Sequence, residues 1–190
     1  ICEGEKTGSF HTLVNPGVKL SEHIIRLTSI TNEDLVDAPS IDQVLASLLE
    51  FIGNKIIIGH NVKFDLAFIN AALTKHHYQA LNNAYIDTLT IARKLYANEV
   101  RNFKLSTLAQ YIKTNNLPTH RAYSDVLATI DLFHNLVERS SSLGVSGVND
   151  FIKIPSKKNR SRYSKRTIAK DAPSSSGIYI FTNKDGKALY

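Results

Sequence analysis

Four residues, Ile56-Ile57-Ile58-Gly59, constrain this chain more than any others. A run so short and so apolar, set between two stretches of helical period, reads as a buried central strand. The stretch before it opens on Ser40 and Gln43, spaced as a capping box. It carries Ile41, Val44, Leu45, Leu48, Leu49 and Ile52 at helical intervals, and Gly53-Asn54 stops it. Helical period resumes from Val62 to Lys75, with Phe64, Phe68, Ala71 and Ala72 on one side. A strand over Ala84 to Asp87 follows, then helices over Thr88 to Tyr96, Leu105 to Ile112 and Tyr123 to Arg139. The last is expected to bury Val126, Ile130, Phe133 and Val137. Upstream, Ser9 to Val14 alternates polar and apolar before Asn15-Pro16-Gly17, which predicts an opening hairpin. Strands alternating with helices predict an α/β layered domain ending near Arg139.

The chain has 190 residues, room for one such domain and an appendage. Its net charge of +6 is a local matter. Lys153, Lys157, Lys158, Arg160, Arg162, Lys165, Arg166 and Lys170 fall together with no acid among them; the basic residues elsewhere are outnumbered by the 17 acidic ones. Ser140-Ser141-Ser142 on one side and Pro173-Ser174-Ser175-Ser176 on the other mark residues 140–174 as a Ser/Gly and Lys/Arg-rich linker. Cys2 is the only cysteine, so an internal disulfide is excluded and a reducing, cytoplasmic setting fits. No segment is long and apolar enough to span a bilayer, so no membrane partner is expected. The chain starts at Ile1 and contains no methionine, and is read as a fragment.

Two clusters carry the chemistry. In His60-Asn61-Val62-Lys63-Phe64-Asp65 a carboxylate follows directly on the apolar strand, at the edge where open α/β sheets collect ligands. In His120-Arg121-Ala122-Tyr123-Ser124-Asp125 another carboxylate opens the final helix with a histidine just ahead of it. Carboxylates gathered at one edge repel each other unless divalent cations neutralise them, and such cations can clamp a phosphodiester. A histidine beside them is suited to take the proton of the attacking water. Asp87-Thr88 reads as a helix cap at a strand end rather than as a ligand.

In their order and spacing these residues resemble the DEDDh exonucleases, the group that includes the proofreading subunit of bacterial DNA polymerase III. The similarity runs from Ile1 to about Arg139. Phe10 to Gly17 and Leu27 to Thr31 look like the family's "TLVNPG" and "LTGIT" segments, with Ser29 in place of the usual glycine. The resemblance implies a ribonuclease H-like fold, a mixed five-stranded sheet flanked by helices. It implies two Mg2+ or Mn2+ ions and 3′-to-5′ removal of nucleotides from single-stranded DNA or DNA 3′ ends, in company with a polymerase or repair proteins. His120 would be the general base, Asp125 a metal ligand, and Asp65 a ligand of the second metal. Leu27, Thr28, His60, Asn61 and Phe64 would shape the substrate pocket.

One motif departs. The family's Asp-x-Glu, on a first strand ahead of the hairpin, supplies two further carboxylates. Glu3-Gly4-Glu5-Lys6-Thr7-Gly8 echoes it, yet only Ser9 separates Gly8 from the "TLVNPG" segment, so these residues are read as the hairpin turn. The first strand is therefore expected to be missing, and the chain alone to be weakly active or inactive. A second resemblance begins at Gly177-Ile178-Tyr179, with Tyr190 ending the sequence. These residues and the Asn183-Lys184-Asp185-Gly186 turn are similar to the opening β-hairpin of a UvrC-like GIY-YIG endonuclease domain over residues 175–190. Tyr179 and Tyr190 would be its tyrosines.

Overall fold

In the computed structural model, which describes residues 5–141 and 147–152, the apolar run becomes strand β1 (Ile57–Gly59). It pairs in parallel with β2 (Tyr85–Asp87), in the register Ile57 to Tyr85, Ile58 to Ile86 and Gly59 to Asp87. A parallel pair needs a crossover, and helix α3 (Val62–Lys75) supplies it. Gly59 is required where β1 turns into α3, because a Cβ there would meet Val62 Cγ2 at 2.9 Å. Ahead of the pair lie α1 (Glu22–Thr28), one 3-10 turn at Glu33–Leu35, and α2 (Ile41–Ile52). After it come α4 (Thr88–Leu95), α5 (Leu105–Ile112), α6 (Ala122–Ser141) and α7 (Val148–Ile152).

Local chemistry accounts for the helix ends. Ser40 N–H donates to Gln43 Oε1 at 2.9 Å, so the capping box forms as expected, and Gly53 N–H closes α2 onto Leu49 O at 2.8 Å. Helix α1 ends on Ser29, whose φ of 55° lies in the left-handed region. That conformation explains why the resemblance places a glycine there, since a residue without Cβ adopts it freely.

The core gathers where α4 and α5 pack on α6. Ile86, Ile91, Ala92, Tyr96, Leu108, Leu132, Leu136 and Phe151 form one buried cluster. The buried tyrosine hydroxyl is satisfied by Asn135 Oδ1, and the Arg139 guanidinium lies 4.5 Å from the centre of the Tyr96 ring. No helix among the described residues is long and apolar enough to cross a membrane.

Four expectations need correction. The described residues hold two paired strands rather than five, both parallel rather than mixed; Asn15 and Ser40 also form an isolated parallel bridge. Ser9 to Val14 forms no hairpin: no neighbouring strand among the described residues offers it a ladder, and Phe10 instead lies against Phe51 of α2, ring centres 5.8 Å apart. Strand β1 is half-buried, not fully buried. On α6 the buried face is Ala128, Leu132, Leu136 and Ser140, while Val126 and Val137 are exposed. That helix has two apolar stripes, and packing against α4 and α5 selects between them. Helix α3 behaves similarly, burying Val62 and Leu73 and leaving Phe64 and Phe68 exposed, their rings 4.9 Å apart.

Beyond Arg139, Phe151 of α7 joins the core cluster, 5.9 Å from Phe133 between ring centres. Most of the basic linker, the start of the second domain, Tyr179 and Tyr190 lie outside the described residues.

Two substitutions test this packing. Leu132→Ala should destabilise by about 2–5 kcal/mol, while Val126→Ala should cost less than about 1 kcal/mol. A third probes the end of α1: Ser29→Gly should raise stability by about 1 kcal/mol by relieving the left-handed backbone. Urea midpoints at constant slope would measure all three.

Candidate active site

The C-terminal ends of β1 and β2 meet at a knot of hydrogen bonds. Asp87 caps α4 by accepting from Leu89 N–H at 3.0 Å, and the same Oδ1 accepts Asn61 N–H at 2.9 Å. Its Oδ2 accepts from Thr90 Oγ1 at 3.3 Å. One carboxylate thus holds the heads of α3 and α4 together, as expected of a cap at a strand end. Asn61 takes φ 67° as it opens α3, a left-handed entry that asparagine tolerates better than most residues.

His60 sits inside this knot. Its Nε2 lies 2.8 Å from the Phe103 carbonyl and its Nδ1 3.0 Å from Thr88 Oγ1. A carbonyl can only accept, so Nε2 carries the proton, and the neutral ring's Nδ1 shares the single Thr88 hydroxyl hydrogen with the Gly59 carbonyl, 3.2 Å from Thr88 Oγ1. Both ring nitrogens are therefore spent on the fold, and the imidazole is not available to a substrate. Burial lowers the His60 pKa, against the opposing effects of the Phe103 bond and the Asp87 charge.

Asp65 stands one turn into α3, exposed at the same edge, its carboxylate interacting with its own backbone N–H. The protein around its carboxyl raises its pKa by desolvation; its own backbone N–H opposes that rise and the Asp87 charge adds to it. A carboxylate in this state is poised to gain from a cation.

The second cluster is built around Asp125. Its Oδ1 accepts Thr119 N–H at 3.0 Å and His120 N–H at 3.2 Å, which folds the loop before α6 back onto the helix's first turn. His120 takes φ 63° and its ring is exposed. Next to it, Arg121 Nη2 donates to the Ser29 carbonyl at 2.6 Å, tying this loop to the end of α1, where Leu27 is exposed and Thr28 half-buried. The Arg121 charge also helps lower the pKa of Asp34, behind the larger effect of the Thr31 backbone N–H.

His120 and Asp125 are thus brought together directly. Leu27 and Thr28 are linked to them through Arg121, a residue whose spacing in the sequence gave no sign of this role. Asp65 and Asn61 belong to the β1–β2 knot, and among the described residues no hydrogen bond or ion pair joins Asp65 to His120 or Asp125. Phe64 packs on Phe68 at the surface. Among the described residues no three His, Cys, Asp or Glu side chains lie close enough to hold a metal ion. Asp65 and the second oxygen of Asp125 are the right kind of donor for a hard divalent cation, but two carboxylates do not make a complete set.

Fold and site together define an α/β domain with one carboxylate at a helix head beside the C-terminal edge of a parallel strand pair, and a second at the head of α6 next to a histidine. The chain belongs to the exonuclease (RNase_T) family, whose family model matches residues 1–133. It is 33% identical, over 191 aligned positions and 100% of its length, to a protein of Mycobacterium tuberculosis named as a bifunctional exonuclease/endonuclease, of which it covers 30%. It is 35% identical over 142 residues to the PolC-type DNA polymerase III of Caldanaerobacter subterraneus, which matches 75% of this chain and 10% of that protein. Among solved structures, exonuclease X in complex with 5′ overhanging duplex DNA superposes with a TM-score of 0.62 at 21% identity, over 81% of this chain and 85% of that one. Likeness at that identity establishes a shared fold.

The His60 environment makes a pH prediction. Unfolded, this histidine takes up a proton near its ordinary value of 6.5; folded, it resists. Its contribution to stability is complete above 6.5 and is lost as pH falls through the lowered folded value. Melting temperature should therefore drop between about pH 7.5 and 5.5, and drop less in His60→Gln. Equal slopes in the two proteins would remove His60 as the cause.

Proposed function

We propose that this chain is the 3′-to-5′ exonuclease domain of a two-nuclease DNA repair protein, acting on the 3′ ends of single-stranded DNA with two Mg2+ or Mn2+ ions. The observation that carries the reading is the Asp125 carboxylate, which grips the backbone of the loop presenting His120. That contact holds the backbone of the exposed His120 against a carboxylate with one oxygen still open. His120 takes the proton of the attacking water. Asp125 and Asp65 would hold the cations, whose chemistry when bound is to stabilise the charge that builds on the phosphodiester oxygens. Leu27 and Thr28, held to the His120 loop through Arg121, face the terminal nucleotide, with Phe64 and Asn61 on the Asp65 side.

Two carboxylates are half of the set that the resemblance implies, and turnover by these residues alone is expected to be weak. Full activity needs the Asp-x-Glu pair that the resemblance implies. Alignment of the whole chain to the bifunctional exonuclease/endonuclease supports the two-nuclease reading. So do the GIY-YIG-like residues, with Tyr179 and Tyr190 opening a second domain at 175–190 after a linker. PolC relatives at 35% identity favour a second reading, a proofreading exonuclease working with a DNA polymerase. A cytoplasmic location agrees with either.

The test is degradation of single-stranded DNA, labelled at the 5′ end, by the natural full-length protein in Mg2+ or Mn2+. A ladder shrinking from the 3′ end is expected. His120→Ala and Asp125→Asn should each lower turnover by about a hundredfold or more. Asp125→Asn is the better variant, since its amide oxygen can still accept the loop's N–H groups, which Asp125→Ala would abandon. Unchanged turnover in both would sink the assignment, and co-purification with a polymerase would favour proofreading over repair.

A further inference from the structure

We infer that Lys6, His11 and Tyr123 form a contact site for a single DNA strand beside His120, binding one phosphate through the lysine and one base against the tyrosine ring. This deepens the exonuclease reading and rests on it. Tyr123 belongs to the first turn of α6, three residues beyond His120 and two before Asp125. It keeps 42% of its surface exposed. Lys6, 117 residues away in sequence, donates from Nζ to the Tyr123 hydroxyl at 2.8 Å. The ammonium lies 5.1 Å from the ring centre, at the hydroxyl end. His11 meets the ring edge-on, 5.8 Å between centres with the planes 76° apart. All three side chains are exposed.

The charge balance points to a ligand. The ion pairs among the described residues are Arg26 with Glu22 and Arg139 with Glu99, so Lys6 has no carboxylate among them to answer it. Its bond to a neutral phenol leaves two ammonium hydrogens for an outside acceptor. Arg121, the other cation by His120, is already committed to the Ser29 carbonyl. A phosphodiester oxygen supplies the missing negative charge, and a base supplies a flat partner for the exposed ring. A cation beside an aromatic platform is how sequence-tolerant single-strand sites are built. An acidic peptide would satisfy the lysine but leave the ring without use.

The site lies at the same loop as the proposed general base. A strand gripped there has its end delivered toward His120. Lys6 and Tyr123 would therefore act on binding and leave the chemical step to other residues.

The experiment measures binding of 5′-fluorescein oligothymidylate to the 190-residue chain in EDTA, across a salt series. Lys6→Gln should weaken binding several-fold and reduce the slope of log affinity against log salt by about 0.7, the contribution of one phosphate contact on a single strand. Lys6→Arg should restore both. Tyr123→Ala should weaken binding about tenfold, while Tyr123→Phe should keep most of the affinity through its ring. If Lys6→Gln lowers only the melting temperature and leaves the slope alone, the contact is a structural tether and the inference is overturned. It is equally overturned if Tyr123→Ala binds like the parent. Should these variants bind normally while Asp125→Asn silences the full-length protein, the strand site falls and the exonuclease reading stands. If the parent chain shows no affinity for DNA and the full-length protein no degradation of it, both fall.

Discussion

One carboxylate, that of Asp87, carries the architecture of the strand ends. It accepts the Leu89 N–H in the first turn of α4 and the N–H of Asn61 at the mouth of α3, so two helices start from a single anion. Each helix head is a partial positive charge, and placing an anion between two of them is favourable for both. The His60 ring completes the junction by joining Thr88 at the head of α4 to Phe103. With only two short strands paired among the described residues, this junction substitutes for the rigidity a broader sheet would provide. Asp65 inherits its position from it, being one turn along α3 from Asn61.

The Asp125 loop is assembled on the same plan with the roles reversed. Here a helix residue reaches back to hold the chain that precedes it, and a long-range arginine fastens that loop to the end of α1. The two clusters differ in burial. Burial at the Asp87 junction depresses the basicity of its histidine, whereas His120 is exposed. A histidine walled in by protein serves structure, and one left open is available for proton transfer.

Sequence spacing revealed elements well wherever the decisive forces were local. The capping box of α2, the Val62–Lys75 helix and the short strand ending at Asp87 all follow from residues a few positions apart. It was silent where partners were distant. Nothing in the sequence says that His60 will bond a carbonyl 43 residues away, or that Lys6 will find Tyr123. The face of α6 was misread for a related reason: two apolar stripes run along that helix, and only its neighbours decide which is covered. The hairpin at Ser9 to Val14 did not form because alternation describes what a strand needs, while pairing depends on another strand being at hand.

The left-handed backbone at His120 narrows what this position can become. Few side chains enter that conformational well without strain, and asparagine, aspartate and glycine are chief among them. A family member that abandoned chemistry while keeping its shape would lose the imidazole by drifting to one of these three, most simply His120→Asn, with the Asp125 clasp undisturbed. A β-branched residue there would instead spring the loop from α6. The backbone angle at one histidine thus limits which side chains can stand there without springing the loop.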